Sequence, residues 1–194
     1  MQLSQIASLF HQSLGGLPDR RIDHLLTDSR SLVFPEESLF FALKSERNDG
    51  HRYLRDLYDM GVRAFVVQTK PAEDFPEVGF IVVEDTLKAL QQLAAHHRNS
   101  LHLPVIAITG SNGKTIVKEW LHQLLSADRR IVRSPRSYNS QIGVALSVWQ
   151  LKSDTKLGIF EAGISLPGEM TSLETMIRPD TGIFTTIGDA HQEN

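Results

Sequence analysis

The sequence predicts an α/β protein built on parallel sheets, and three observations carry that prediction. Short apolar runs alternate with stretches of helical periodicity along the chain. Past Pro104 the alternation becomes regular, in strand–helix–strand units long enough for right-handed crossovers. A glycine-containing segment, ITGSNGKT at 108–115, stands where an apolar run gives way to a helical one.

In the first part, Ile6, Leu9, Phe10 and Leu14 recur at helical spacing, with Ser4 as cap and Gly15-Gly16 as stop. Residues 22–27 and 38–43 read as strands separated by the turn-prone Asp28-Ser29-Arg30 and Pro35. Leu54, Leu57 and Tyr58 mark a helix ending at Gly61, and residues 63–67 and 80–83 make two further strands. A helix capped by Asp85 carries Leu87, Leu90, Leu93 and Ala94 on one face. This unit is expected to span residues 1–98, with the polar run from His96 to Ser100 as a linker toward Pro104.

The second part, residues 104–194, offers strands at 105–109, 130–132, 157–160 and 182–186, alternating with helices at 114–125, 142–151 and 167–177. In a parallel sheet the loops leaving the carboxyl ends of the strands gather on one edge, where ligands bind. Those loops are 110–115, 134–143, 161–165 and 188–194.

Composition narrows the chemistry. The 194 residues are 41% apolar and 22% charged, enough for a buried core and too apolar for disorder. A net charge of −3 argues against a protein that covers nucleic-acid phosphate. Without cysteine there are no disulfides, thiolate metal sites or thiol nucleophiles. No apolar run is long enough for a membrane helix, and the amino-terminal residues lack a signal-peptide pattern, so a cytoplasmic protein is expected. Among eight histidines there is no HExxH pair, which disfavours a zinc hydrolase.

Residues 108–115 have the chemistry of a phosphate loop. Gly110 and Gly113 let the backbone turn tightly, Ser111 and Asn112 lie between them, and the following helix adds partial positive charge at its start. Lys114 is placed to reach β- and γ-phosphates, and the Thr115 hydroxyl to bind Mg²⁺. The general pattern has a further glycine where Ile108 stands, so this is a shortened variant. Glu161, at the end of an apolar strand, is either a carboxylate for Mg²⁺ or a solvated strand-end acid. His191 follows the last strand, and position alone favours a surface residue, since Mg²⁺ usually prefers oxygen ligands. Arg136, Asn139, Ser140 and Gln141 either orient substrate or cap the next helix. Asp28, Ser29 and Arg30, and Asp49, Gly50 and His51, read as turns.

Taken together, TGSNGKT, YNSQIGV, EAGIS and DAHQEN resemble in order and spacing the ATP-dependent Mur ligases of peptidoglycan synthesis, while TDSR, LFFALK and NDGH resemble that family's amino-terminal nucleotide-sugar domain. Within the family the likeness is greatest to members that add D-Ala-D-Ala to UDP-N-acetylmuramoyl-tripeptide, including forms fused to an alanine racemase. The resemblance implies an acyl phosphate formed with ATP and then attacked by the dipeptide amine. It implies Thr115, Glu161 and His191 as Mg²⁺ ligands, Lys114, Glu161 and His191 as catalytic residues, and Gly110 to Thr115 as the ATP phosphate site. It further implies Asp28, Ser29, Arg30, Asp49, Gly50 and His51 at the uridine-diphosphate end, and Asn139, Ser140 and Gln141 on the sugar–peptide side. Ser45, Ser137, Tyr138 and Ala145 depart from the family's usual pattern. A third domain and the rest of the ATP-binding sheet are expected on a longer chain, so that these residues alone do not ligate. Another Mur-type ligase, a folylpolyglutamate-type ATP-dependent ligase and a non-catalytic nucleotide-binding module stand as the alternatives.

Overall fold

A computed structural model describes residues 1–45, 48–164, 166–186 and 188. The chain divides into two compact units, Met1–Leu93 and Ala94–Asn194. The division falls inside a helix, since the segment opened by Asp85 runs unbroken from Thr86 to Asn99 (α3). The Asp85 carboxylate starts that helix by accepting from the Leu87 and Lys88 amides at 2.9 and 3.0 Å. His96 to Asn99, expected as a linker, are thus its last turn.

The first unit holds α1 (Leu3–Leu9), β1 (His24–Leu26), β2 (Ser38–Phe41), α2 (Leu54–Asp59), β3 (Ala64–Val67) and β4 (Gly79–Val82). Its sheet is wholly parallel in the order β1-β2-β3-β4, so each strand lies beside its neighbour in sequence. Strands β2 and β3 are buried along their full length, as expected of apolar runs without alternation. Phe40 meets Phe65 edge-on, Phe65 stacks on Phe80, and Phe75 closes the cluster against Phe80 and Tyr58. The first helix is shorter than its periodicity predicts. Phe10 caps it and His11 turns to positive φ, which carries the chain away before Leu14.

The second unit holds β5 (Val105–Thr109), α4 (Lys114–Leu125), β6 (Ile131–Arg133), α5 (Gln141–Val148), β7 (Leu157–Glu161), α6 (Glu169–Ile177) and β8 (Thr181–Phe184). Its sheet is also parallel, in the order β6-β7-β5-β8. Ile108, Leu157 and Ile159 form the buried centre beneath α4, which contributes Val117, Leu121 and Leu125. In register, Ile108 pairs with Glu161, so the glycine loop and that carboxylate leave neighbouring strands side by side. Among the described residues no helix is long and apolar enough to cross a membrane.

Two side chains in the last turn of α3 hold the second unit together. Arg98, 5% exposed, donates to the carbonyls of Leu101, Leu103, Ile177 and Arg178, the last two at the end of α6 where a cation suits the helix dipole. His97 packs on the Trp149 ring and hydrogen-bonds the Leu151 carbonyl at 2.8 Å. Burial lowers its pKa, with the Leu151 carbonyl opposing in part. Below the ordinary histidine value of about 6.5, the unfolded chain therefore binds a proton that the fold resists. Stability contributed by His97 is complete above that pH and is lost as pH falls through the lower folded value. We expect the urea midpoint of the second unit to drop between pH 7 and pH 5, and to drop less in His97→Gln.

Candidate active site

The glycine loop, residues 110–113, leaves β5 and enters α4 at Lys114. Gly110 takes φ +132° and Gly113 φ +83°, conformations open to glycine at low cost. A Cβ on Gly110 would lie 2.3 Å from Thr185 Oγ1 and 2.8 Å from the Thr186 carbonyl. The loop is stitched to the segment after β8. Ser111 N donates to Thr186 O at 2.7 Å, Asn112 N donates to Thr186 Oγ1 at 3.3 Å, and Ser111 Oγ bonds to both backbone groups of Gly188. No side chain caps the start of α4, which leaves its positive end to a ligand or solvent. Lys114 Nζ folds back onto the Gly110 carbonyl at 2.6 Å and the Ser111 carbonyl at 3.4 Å.

Thr115 Oγ1 donates to Glu161 Oε2 at 3.1 Å, so two oxygen donors meet at the first turn of α4. Glu161 is not the solvated strand-end acid of the bland alternative, because it has no exposed surface. Its Oε1 is in ion contact with Lys118 Nζ at 2.9 Å, without an aligned hydrogen bond. Lys118 is itself fully buried. Nothing in the motif reading singled it out, although its spacing of four from Lys114 and three from Thr115 sets all three on one side of the helix. His191 lies outside the described residues.

The segment 134–143 comes to the same edge. Ser140 accepts from Gly143 N at 3.2 Å and caps α5, the alternative role weighed for it. Gln141 Nε2 donates to Glu169 Oε1 at 2.9 Å. Asn139 lies against Gly163, whose amide donates to the Asn139 carbonyl at 2.9 Å and where a Cβ would come within 2.8 Å of Asn139 Cγ. The glycine of EAGIS is thus the clearance that admits Asn139. Arg136 has φ +51° and turns its carbonyl toward Lys118.

In the first unit the candidates collect at the carboxyl edge of the sheet. Asp28 accepts from Arg30 N at 3.0 Å, and its carboxylate is forked by Arg30 Nε and Nη2 at 2.9 and 2.6 Å. Those bonds hold the Asp28 carboxyl down at about 2. The Arg30 side chain is 87% exposed. Ser29 opens the short 3₁₀ turn that Asp28 caps.

Asp49 likewise caps the turn of Gly50–Tyr53 by accepting from His51 N. The Gln68 amide donates to His51 Nε2 at 3.1 Å, so the ring proton sits on Nδ1 and is donated to Asp49 Oδ1 at 2.7 Å. Both ring nitrogens are thereby committed to bonds inside this unit. At Gly50 a Cβ would lie 2.8 Å from the Ala42 backbone, and its amide donates to the Leu43 carbonyl. Replacing Gly50 with alanine is expected to lower the stability of the first unit by about 1–3 kcal/mol, as overpacking against immobile backbone does. Urea unfolding followed by tyrosine fluorescence checks it.

Comparison with known proteins places this arrangement. The profile of the Mur ligase middle domain matches residues 108–194. The chain is 36% identical over 174 residues to the UDP-N-acetylmuramoyl-tripeptide–D-alanyl-D-alanine ligase of Bacillus subtilis, covering 89% of this chain and 37% of that protein. It is 31% identical over 191 residues to the ligase of the same name from Escherichia coli, covering 98% of this chain and 41% of the relative. A solved structure of the D-alanyl-D-alanyl ligase from Acinetobacter baumannii superposes with a TM-score of 0.85 at 29% identity, covering 97% of this chain and 42% of that one. The MurF ligase of Thermotoga maritima in complex with ADP gives 0.76 at 27% identity, covering 89% and 38%. The chain thus spans about two fifths of the length of these relatives. That likeness runs through both units, on top of the glycine loop and its buried glutamate: residues 108–194 match the Mur ligase middle domain, and the chain as a whole is similar to about two fifths of these Mur ligases.

Proposed function

We propose that this chain supplies the UDP-sugar-binding unit and the phosphate-binding part of the ATP unit of a cytoplasmic ligase that joins D-Ala-D-Ala to UDP-N-acetylmuramoyl-tripeptide through an acyl phosphate. The observation that carries the reading is the meeting of the Thr115 hydroxyl and the Glu161 carboxylate beside the glycine loop. Two hard oxygen donors suit Mg²⁺, which retains several waters and is completed by substrate phosphates. Bound there, the ion would neutralise phosphoryl oxygens. His191, after the last strand, is the third proposed ligand.

The chain's own residues have definable tasks. Lys114 leaves the Gly110 carbonyl and turns its ammonium to the β- and γ-phosphate oxygens, where negative charge grows as a phosphoryl group departs. The helix start at Gly113 and Lys114 offers amides to the same oxygens. Asn139, Ser140 and Gln141 lie on the loop proposed to orient the sugar–peptide, so that the attacking carboxylate approaches in line. Arg30, exposed and oriented by Asp28, is the proposed partner of the uridine-diphosphate end, with the Asp49–Gly50–His51 turn beside it.

Calorimetric titration of UDP-N-acetylmuramoyl-tripeptide into the chain tests this. Binding is expected, weakened about tenfold by Arg30→Ala, the loss of one charge-assisted contact. Lys114→Met should leave that binding unchanged while weakening ADP. An absence of UDP-sugar binding, or indifference to Arg30, refutes the reading.

A further inference from the structure

Lys118 is the one fully buried lysine among the described residues, and none of the roles above uses it. An ammonium in the interior is costly unless every proton meets an acceptor. Here four oxygens surround it. Glu161 Oε1 is at 2.9 Å, the Ser134 carbonyl at 2.8 Å and Glu119 Oε1 at 3.2 Å, with the Arg136 carbonyl closing the set.

Those acceptors come from three different elements. Glu161 ends β7, Glu119 is on α4 beside the lysine and is held by Arg133 of β6, and Ser134 and Arg136 begin the segment that leads to Asn139. Ser134 adds a second tie, its Oγ accepting from the Glu161 amide at 3.1 Å. The carboxylate is therefore fixed at its backbone by Ser134 and at Oε1 by Lys118. That leaves Oε2 directed to Thr115. Because Lys118 has no exposed surface, it cannot itself touch a phosphate.

We propose that Lys118 is a positioning residue: one buried charge sets the Glu161 carboxylate toward Thr115 and pins the turn that carries Asn139, Ser140 and Gln141. The proposal rests on the reading of Thr115 and Glu161 as the cation site. A structural ion pair would hold the fold alone. A positioning residue also governs how much a divalent cation improves nucleotide binding.

The experiment is ADP titration into the full chain by calorimetry, once in EDTA and once in excess Mg²⁺. In the parent, Mg²⁺ should tighten ADP by tenfold or more. In Lys118→Met, ADP affinity in EDTA should stay within twofold of the parent, while the Mg²⁺ gain falls to threefold or less. A Lys118→Met protein with the parent's full gain, or with equal losses in both conditions, overturns the positioning role and leaves the cation site standing. A parent without any Mg²⁺ gain overturns the cation site and the proposal with it. If Lys118→Met melts below the assay temperature, Lys118→Arg carries the test. A planar guanidinium keeps the charge without reproducing the four contacts, so its Mg²⁺ gain should be at least threefold smaller than the parent's, and an undiminished gain overturns the proposal.

Discussion

Glu161→Ala is expected to destabilise the second unit by about 3–5 kcal/mol, the cost of leaving a buried charge without its partner. The prediction follows from the ion contact between two groups that both lack exposed surface. Removing the carboxylate leaves the Lys118 ammonium facing carbonyls and Glu119 alone. It also removes the acceptor of the Thr115 hydroxyl, so the effect of Mg²⁺ on ADP affinity should vanish in the same variant. Paired replacement by Glu161→Leu and Lys118→Met is expected to recover most of the lost stability and none of the Mg²⁺ effect. Urea denaturation monitored at the tryptophans, with parallel calorimetry, separates the two consequences. A Glu161→Ala protein as stable as the parent contradicts the buried pair.

Gly110→Ala has the second large effect. The new methyl would have to share space with Thr185 Oγ1 and the Thr186 carbonyl, and φ +132° is closed to alanine. Backbone strain of this kind costs about 1–3 kcal/mol before the steric overlap is counted. The loop should relax by parting from the segment after β8, and ADP affinity should fall about a hundredfold or more. Gly113→Ala is the internal comparison. There the nearest atom to a Cβ is Thr185 Cβ at 3.8 Å, so only the cost of positive φ applies, about 1 kcal/mol. Calorimetry on the two variants should rank them by more than tenfold, and equal affinities would count against the close approach.

The parallel α/β class was legible because fully buried strands have no alternation to misread and the crossovers leave helices of ordinary length between them. The helix from Lys114 to Leu125 ends where its periodicity ends. Boundaries were less legible where a backbone turn overrode the pattern, as at Phe10 and His11. The polar run from His96 to Ser100 misled for a specific reason. Arg98 is polar because it is surrounded by carbonyls, and hydropathy does not distinguish a solvated guanidinium from a satisfied one. Lys118 was hidden in the same way, as an ordinary lysine on an amphipathic helix until its neighbours were known. Gly163 and the two threonines after β8 were invisible because their importance is clearance and contact across more than twenty residues of sequence.

The order of strands in the second sheet has a kinetic consequence. In the first unit each strand finds its partner as soon as the next one is made, so pairing can proceed along the chain during synthesis. Strand β5 has no such neighbour, since both its partners, β7 and β8, lie some fifty to eighty residues further on. The segment that ends in the glycine loop therefore emerges from the ribosome early and waits with unpaired edges on both sides. Its acquisition of structure is governed by distant loop closure, and until then its unpaired edges are open to pairing with another chain.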